Sequence, residues 1–128
     1  MKPKFLLATL VMVTMTTPAF AQHGHAHGND AAKKPVAMTG EVIDLTCFMQ
    51  HPADAVGMDH AKCAKMCISQ GLPIGFLAED GTIYLLIGEG HDPIATKVAD
   101  IAGKTVTING VVTDHHGVKA IQLVSVKP

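Results

Sequence analysis

The sequence predicts a mainly β domain with two short helices, its five strands closing as an OB-like Greek-key barrel that carries a helix-and-loop insertion after strand one. Three observations lead there. Apolar and polar residues alternate at Val106 and Ile108, and again at Ile121, Leu123 or Val124, and Val126, the period of a half-buried strand. Two short turn sequences, Glu79-Asp80-Gly81 and Asp114-His115-His116-Gly117, each separate runs rich in β-branched residues and therefore read as hairpins. A helical segment falls between the third and fourth strands, giving the order strand, helix, strand, strand, helix, strand, strand. A plain α+β sandwich on the same strands is the alternative.

Taken in order, strand one is expected over Thr39 to Thr46, where Val42, Ile43 and Leu45 form a β-rich run ending at Cys47. Residues 48–58 contain Pro, Gly and Asp and read as a loop. Asp59 is the expected N-cap of a helix over about residues 60–70, which Gly71 and Pro73 stop. Ile74 to Ala78 and Thr82 to Ile87 are strands two and three. Asp92-Pro93 then offers an N-cap and a first-turn proline to a second helix, with Ile94, Val98 and Ile101 on one face and Gly103 past its end. Thr105 to Thr113 and Val118 to Val126 make the closing hairpin, with Gly110 marking a bulge or tight bend.

The N-terminal segment reads differently from the rest. Met1 to Ala21 has a basic start at Lys2 and Lys4, an apolar run from Phe5 to Val13 and an Ala19-Phe20-Ala21 exit, the three parts of a secretory signal peptide. Its apolar run is about half of the roughly 20 residues a membrane-spanning helix needs. Cleavage after Ala21 is expected to leave a periplasmic or secreted chain of 107 residues that is not membrane-embedded. Eight lysines then face eleven carboxylates, a balance of −3. With no arginine and one tyrosine, the chain lacks the means to track phosphates or stack bases, so nucleic acid is not an expected partner. No phosphate-binding glycine loop, G-x-S-x-G, H-E-x-x-H or C-x-x-C pattern occurs, which leaves the common hydrolase and NTPase chemistries unsupported. Domain organisation is thus a signal peptide (1–21), a flexible His-rich tail (22–38) and an OB-like domain (39–128).

The unusual chemistry is concentrated in CFMQHPADAVGMDHAKCAKMC. Within 21 positions it holds Cys47, Cys63 and Cys67, Met49, Met58 and Met66, and His51 and His60. On a helix Cys63 and Cys67 are one turn apart and project from the same face, with His60 one turn before Cys63. Folding that helix back against strand one brings Cys47 to the same place, for a three-thiolate site with His60 or Met66, or His51 from the loop, as a further ligand. Thiolate and thioether donors select Cu(I) or zinc over hard cations, and the surrounding methionines tilt the choice toward copper. His23, His25 and His27 alternate with small residues in the tail, a flexible tract suited to Cu(II), Ni(II) or Zn(II). His91, His115 and His116 read as ordinary turn residues, and Glu41 and Asp44 as solvent-facing positions of strand one.

Three cysteines cannot all pair within one chain, and exported compartments favour disulfides. Two other readings therefore stand beside metal binding. One is a disulfide-stapled OB-type interaction module with a spare thiol, in which Cys63 pairs with Cys67 at the cost of some helix distortion or, more easily, Cys47 pairs with Cys63 or Cys67. The other is a thiol-redox protein, with Lys62 and Lys65 lowering the pKa of Cys63. In the segments GEVIDLTC, HAKCAKMC, GLPIGFLAEDGTIYLL and GKTVTINGVV, residues 40–126 resemble small exported bacterial proteins of uncharacterised function that carry this C-x15-C-x3-C arrangement on an OB-like barrel. That resemblance implies the fold and export. A broader similarity to periplasmic copper-handling proteins rests on donor type. The leading expectation is a non-enzymatic copper chaperone, buffer or resistance factor, with zinc as the other ion and another exported metal-handling protein as partner.

Overall fold

The computed structural model describes residues 33–127, so the signal segment and His23, His25 and His27 lie outside the described residues. Five strands run β1 (Val36–Asp44), β2 (Ile74–Ala78), β3 (Ile83–Ile87), β4 (Thr105–His115) and β5 (Val118–Lys127). Helices α1 (Leu45–Gln50) and α2 (Ala61–Ser69) lie between β1 and β2, and α3 (Ala95–Val98) runs into a 3-10 turn at Ala99–Ile101 before β4. The sheet closes on itself as a ring in the order β1-β2-β3-β5-β4. All neighbours are antiparallel except β3 and β5, which pair in parallel from Leu85↔Ala120 to Ile87↔Gln122.

Closure depends on β1 serving two neighbours. Its first half, Val36 to Glu41, pairs with β4, and its second half, Gly40 to Asp44, pairs with β2. Gly40 belongs to both ladders. A Cβ there would meet the Leu77 carbonyl oxygen at 2.3 Å and the Ala78 Cα at 2.9 Å, so glycine is what lets the strands approach at the turning point. The expected irregularity at Gly110 is present as a register shift between Asn109 and Gly110. The closing hairpin is tighter than its sequence reads. Its strands extend to His115 and from Val118, and His116 and Gly117 turn the chain with φ of 55° and 87°, the left-handed pair of a two-residue hairpin.

Phe76, Ile108, Ile121, Val42 and Val98 fill the ring and are almost wholly buried. Helix α2 covers this core with Ala64 and Ile68, one turn apart on its inward face, beside Ala99 and Ala102. Its C-terminus closes as a Schellman motif. Gly71, at φ 88°, donates to the Ile68 carbonyl and Leu72 donates to that of Cys67.

The segment after β1 departs most from expectation. Strand one ends at Asp44 and not at Thr46, and Cys47, expected at the end of that strand, lies inside a third helix, α1, which runs on to Gln50 into the expected loop. The cause is local. Asp44 sits at the N-cap with extended φ and ψ of −79° and 115°, and its carboxylate accepts from the backbone N–H groups of Thr46 (3.0 Å) and Cys47 (3.1 Å). Asp44 is fully buried, against the expectation that it faces solvent. Glu41 is half-buried, and its Oε1 accepts from Gly57 N–H at 2.6 Å, pinning the 51–60 segment to β1. Gly103 supports the same segment from below, packed against Ala61 and the Gly57 carbonyl. Nor do the two expected aspartate caps form. His60 takes the cap position of α2 without a side-chain bond, and Asp92 pairs with Lys97 while Ile94 precedes α3. No helix among the described residues is long and apolar enough to cross a membrane.

Candidate metal centre

Two elements deliver the three thiols. The Asp44 cap starts α1 so that Cys47 is its third residue, and helical spacing places Cys63 and Cys67 on one face of α2. The result is two overlapping groups that share Cys47. Cys47 Sγ, Cys63 Sγ and a ring nitrogen of His60 lie within 4.8 Å of one another, as do Cys47 Sγ, Cys67 Sγ and an Asp44 carboxylate oxygen. A tetrahedral ion with metal–sulfur bonds near 2.3 Å needs sulfurs roughly 3.8 Å apart, so a small inward movement of rotamers completes such a shell. All three cysteines are free thiols of intermediate exposure.

Buried and facing no hydrogen-bond partner, His60 Nε2 is the one buried side-chain nitrogen or oxygen so placed among the described residues. Leaving such an atom unsatisfied costs about 1–3 kcal/mol, so it calls for a partner from outside the chain, a water or an ion. An imidazole nitrogen beside two thiols is a donor set that a thiophilic ion satisfies. Of the expected ligands, Cys47 thus meets Cys63 and His60 in one group and Cys67 in the other. His51 is exposed at the C-cap of α1 and belongs to neither group. Met66 is 55% exposed, Met58 64% and Met49 73%, which puts these thioethers at the outer surface of the segment. Asp44 is the residue that sequence reasoning missed. Its signal was available in Asp-Leu-Thr-Cys, an N-cap residue followed by two residues whose N–H groups it accepts.

Electrostatics favour the protonated form of the Cys47 and Cys67 thiols. Hydrogen bonding to Asp44 pushes the Cys47 thiol up to about 12, helped by burial and by the negative charge of Asp44, Cys67 and Cys63. Cys67 is raised as well, first by burial and then by Asp44 and Cys63. Burial alone would raise the Asp44 carboxyl, but hydrogen bonds from the Cys47 thiol, the N–H groups of Cys47 and Thr46, and the Cys67 thiol outweigh it and hold it below the usual range. These shifts work against thiol-redox catalysis, which needs a stabilised thiolate. Of the two lysines expected to activate Cys63, Lys65 is engaged elsewhere, in a pair with Asp100.

A pH dependence follows. The folded Cys47 value lies above its ordinary 9.0, so its contribution to stability is complete below pH 9 and is lost as pH rises toward about 12. Asp44, shifted down, contributes above its ordinary 3.8 and loses that contribution as pH falls through its folded value. The stability difference between the metal-free protein and Cys47→Ala, measured by urea unfolding, is therefore expected to shrink between pH 9 and pH 11. Metal binding must displace the thiol protons. Titration in weak buffer at pH 7 is expected to release protons in step with metal uptake, and affinity to fall with acid.

No family model, curated protein or solved structure matches the chain.

Proposed function

We propose that this is an exported metal-binding protein that carries a thiophilic ion as cargo, with Cys47, Cys63 and Cys67 as thiolate ligands and His60 completing the set. The observation that carries this reading is the meeting of three free thiols in two overlapping groups that share Cys47, one of which includes His60, whose buried Nε2 has no hydrogen-bond partner. Cu(I) is the ion three sulfurs favour, and zinc is the other ion suited by three sulfurs and one imidazole. Two features favour cargo over a structural ion. The ring has its own core of aliphatic side chains and Phe76, which does not include the four ligands. The ligands themselves are half-exposed at one end of the fold, open to exchange.

The scaffold in this reading is an OB-like barrel, supported by the strand order, the parallel β3–β5 closure and the helix between β3 and β4. The site occupies the connection between β1 and β2. In the exported chain, His23, His25 and His27 capture Cu(II) or pass metal toward the thiols, and another exported metal-handling protein donates or receives it. Titrating the reduced protein with Cu(I) against a chelator tests this. The expected result is one tightly held equivalent with a thiolate-to-metal absorption in the near ultraviolet, and a protein that yields its copper to a weak chelator without that band contradicts the reading.

A further inference from the structure

We infer that Asp44 is a specificity-determining residue of the metal site, its charge weighting the site toward a divalent ion and narrowing the advantage of Cu(I). This rests on the metal reading above and adds to it the group that discriminates between ions. Asp44 is the only fully buried polar or charged side chain among the described residues, and one of its oxygens lies within 4.8 Å of both Cys47 Sγ and Cys67 Sγ. Among the described residues no lysine forms a salt bridge with it, since the three ion pairs present engage Asp92, Asp100 and Asp114. Its two oxygens are instead held by the N–H groups of Thr46 and Cys47, which fix the carboxylate in place without neutralising it.

Charge arithmetic then separates the ions. Three thiolates and one carboxylate carry four negative charges, of which a divalent ion cancels two and Cu(I) one. An additional fixed negative charge stabilises a doubly charged ion about twice as much as a singly charged one. At roughly 5 Å from the metal, with an effective dielectric between that of a protein surface and that of water, the difference amounts to about tenfold in relative affinity. Direct ligation of a divalent ion by the carboxylate acts in the same direction, because hard oxygen donors suit Zn(II) better than Cu(I). A purely structural cap has no such signature. Losing it loosens α1 and weakens both ions alike.

The test measures Cu(I) and Zn(II) affinities by chelator competition for the parent and for Asp44→Asn, and compares the ratios. The expected result is a shift of about tenfold or more toward Cu(I) in the variant. An unchanged ratio, whatever the absolute loss, overturns the inference while leaving the metal site intact. Asp44→Ser keeps a capping oxygen without charge and repeats the comparison where Asn does not fold. Loss of the fold in both variants, seen by circular dichroism, assigns Asp44 to structure and also overturns the inference. A parent that holds neither ion overturns the metal reading itself, and this inference with it.

Discussion

Cys47→Ser is expected to lower the affinity for Cu(I) by about a hundredfold or more, and to cost more than Cys63→Ser or Cys67→Ser. The reason is position. Cys47 is the sulfur common to both ligand groups, whereas Cys63 and Cys67 each belong to one. Removing Cys63 leaves Cys47 and Cys67 to hold an ion, and removing Cys67 leaves Cys47, Cys63 and His60. Without Cys47 neither group keeps two thiols. Fold should be little affected, because Cys47 is half-exposed and lies outside the aliphatic core. Chelator competition on the three single variants checks the ranking. Equal losses at all three positions would show that the sulfurs do not converge through Cys47.

Gly103→Ala is expected to destabilise the protein by about 3 kcal/mol, a fall in melting temperature of roughly 10–20 °C for a domain of this size. Two penalties combine. Gly103 adopts φ of +75°, where a side chain is strained, and an added Cβ would lie 2.7 Å from both the Ala61 Cβ and the Gly57 carbonyl oxygen. The clash falls on the loop pinned by Glu41 and on the first residue of α2, so the thiol-bearing elements should lose their seating along with the stability. Gly81→Ala separates the two effects. Its φ is +82° but nothing lies within 4 Å, so it should lose only about 1 kcal/mol. Thermal unfolding of both variants reads the difference, and equal losses would argue against tight packing at Gly103.

Much of the fold could be read because its signals are local. Turn residues mark both hairpins, alternation marks β4 and β5, and Gly110 marks the bulge. The pairing of Cys63 with Cys67 follows from helical period alone. What escaped was set by competition between two local signals or by tertiary cover. Val42-Ile43-Asp44-Leu45 continues a β-rich run, and that pattern hid the stronger fact that Asp44 can cap a helix containing Cys47. Leu45 served as evidence for the strand, yet its side chain starts α1 and packs over Gly75, where a Cβ would meet it at 2.7 Å. The burial of Asp44 arises only once α1 and α2 meet at the end of β1. Asp59 and Asp92 are adequate capping residues by type, but neither caps the helix that follows it. The role of Gly40 needed the ring itself, since nothing in a single strand shows that two partners will share Gly40 and Glu41.

In the proposed role, Cys47, Cys63 and Cys67 jointly hold a metal ion in the exported protein. The most direct test of this role is the intact native mass of the protein isolated from its own exported compartment, read before and after thiol alkylation. The expected mass includes one metal ion, and the three cysteines are expected to resist alkylation until a chelator removes it. A metal-free protein about two mass units light, with a single alkylatable thiol, would contradict this role, because two of the sulfurs would then be joined in a disulfide and only one left free.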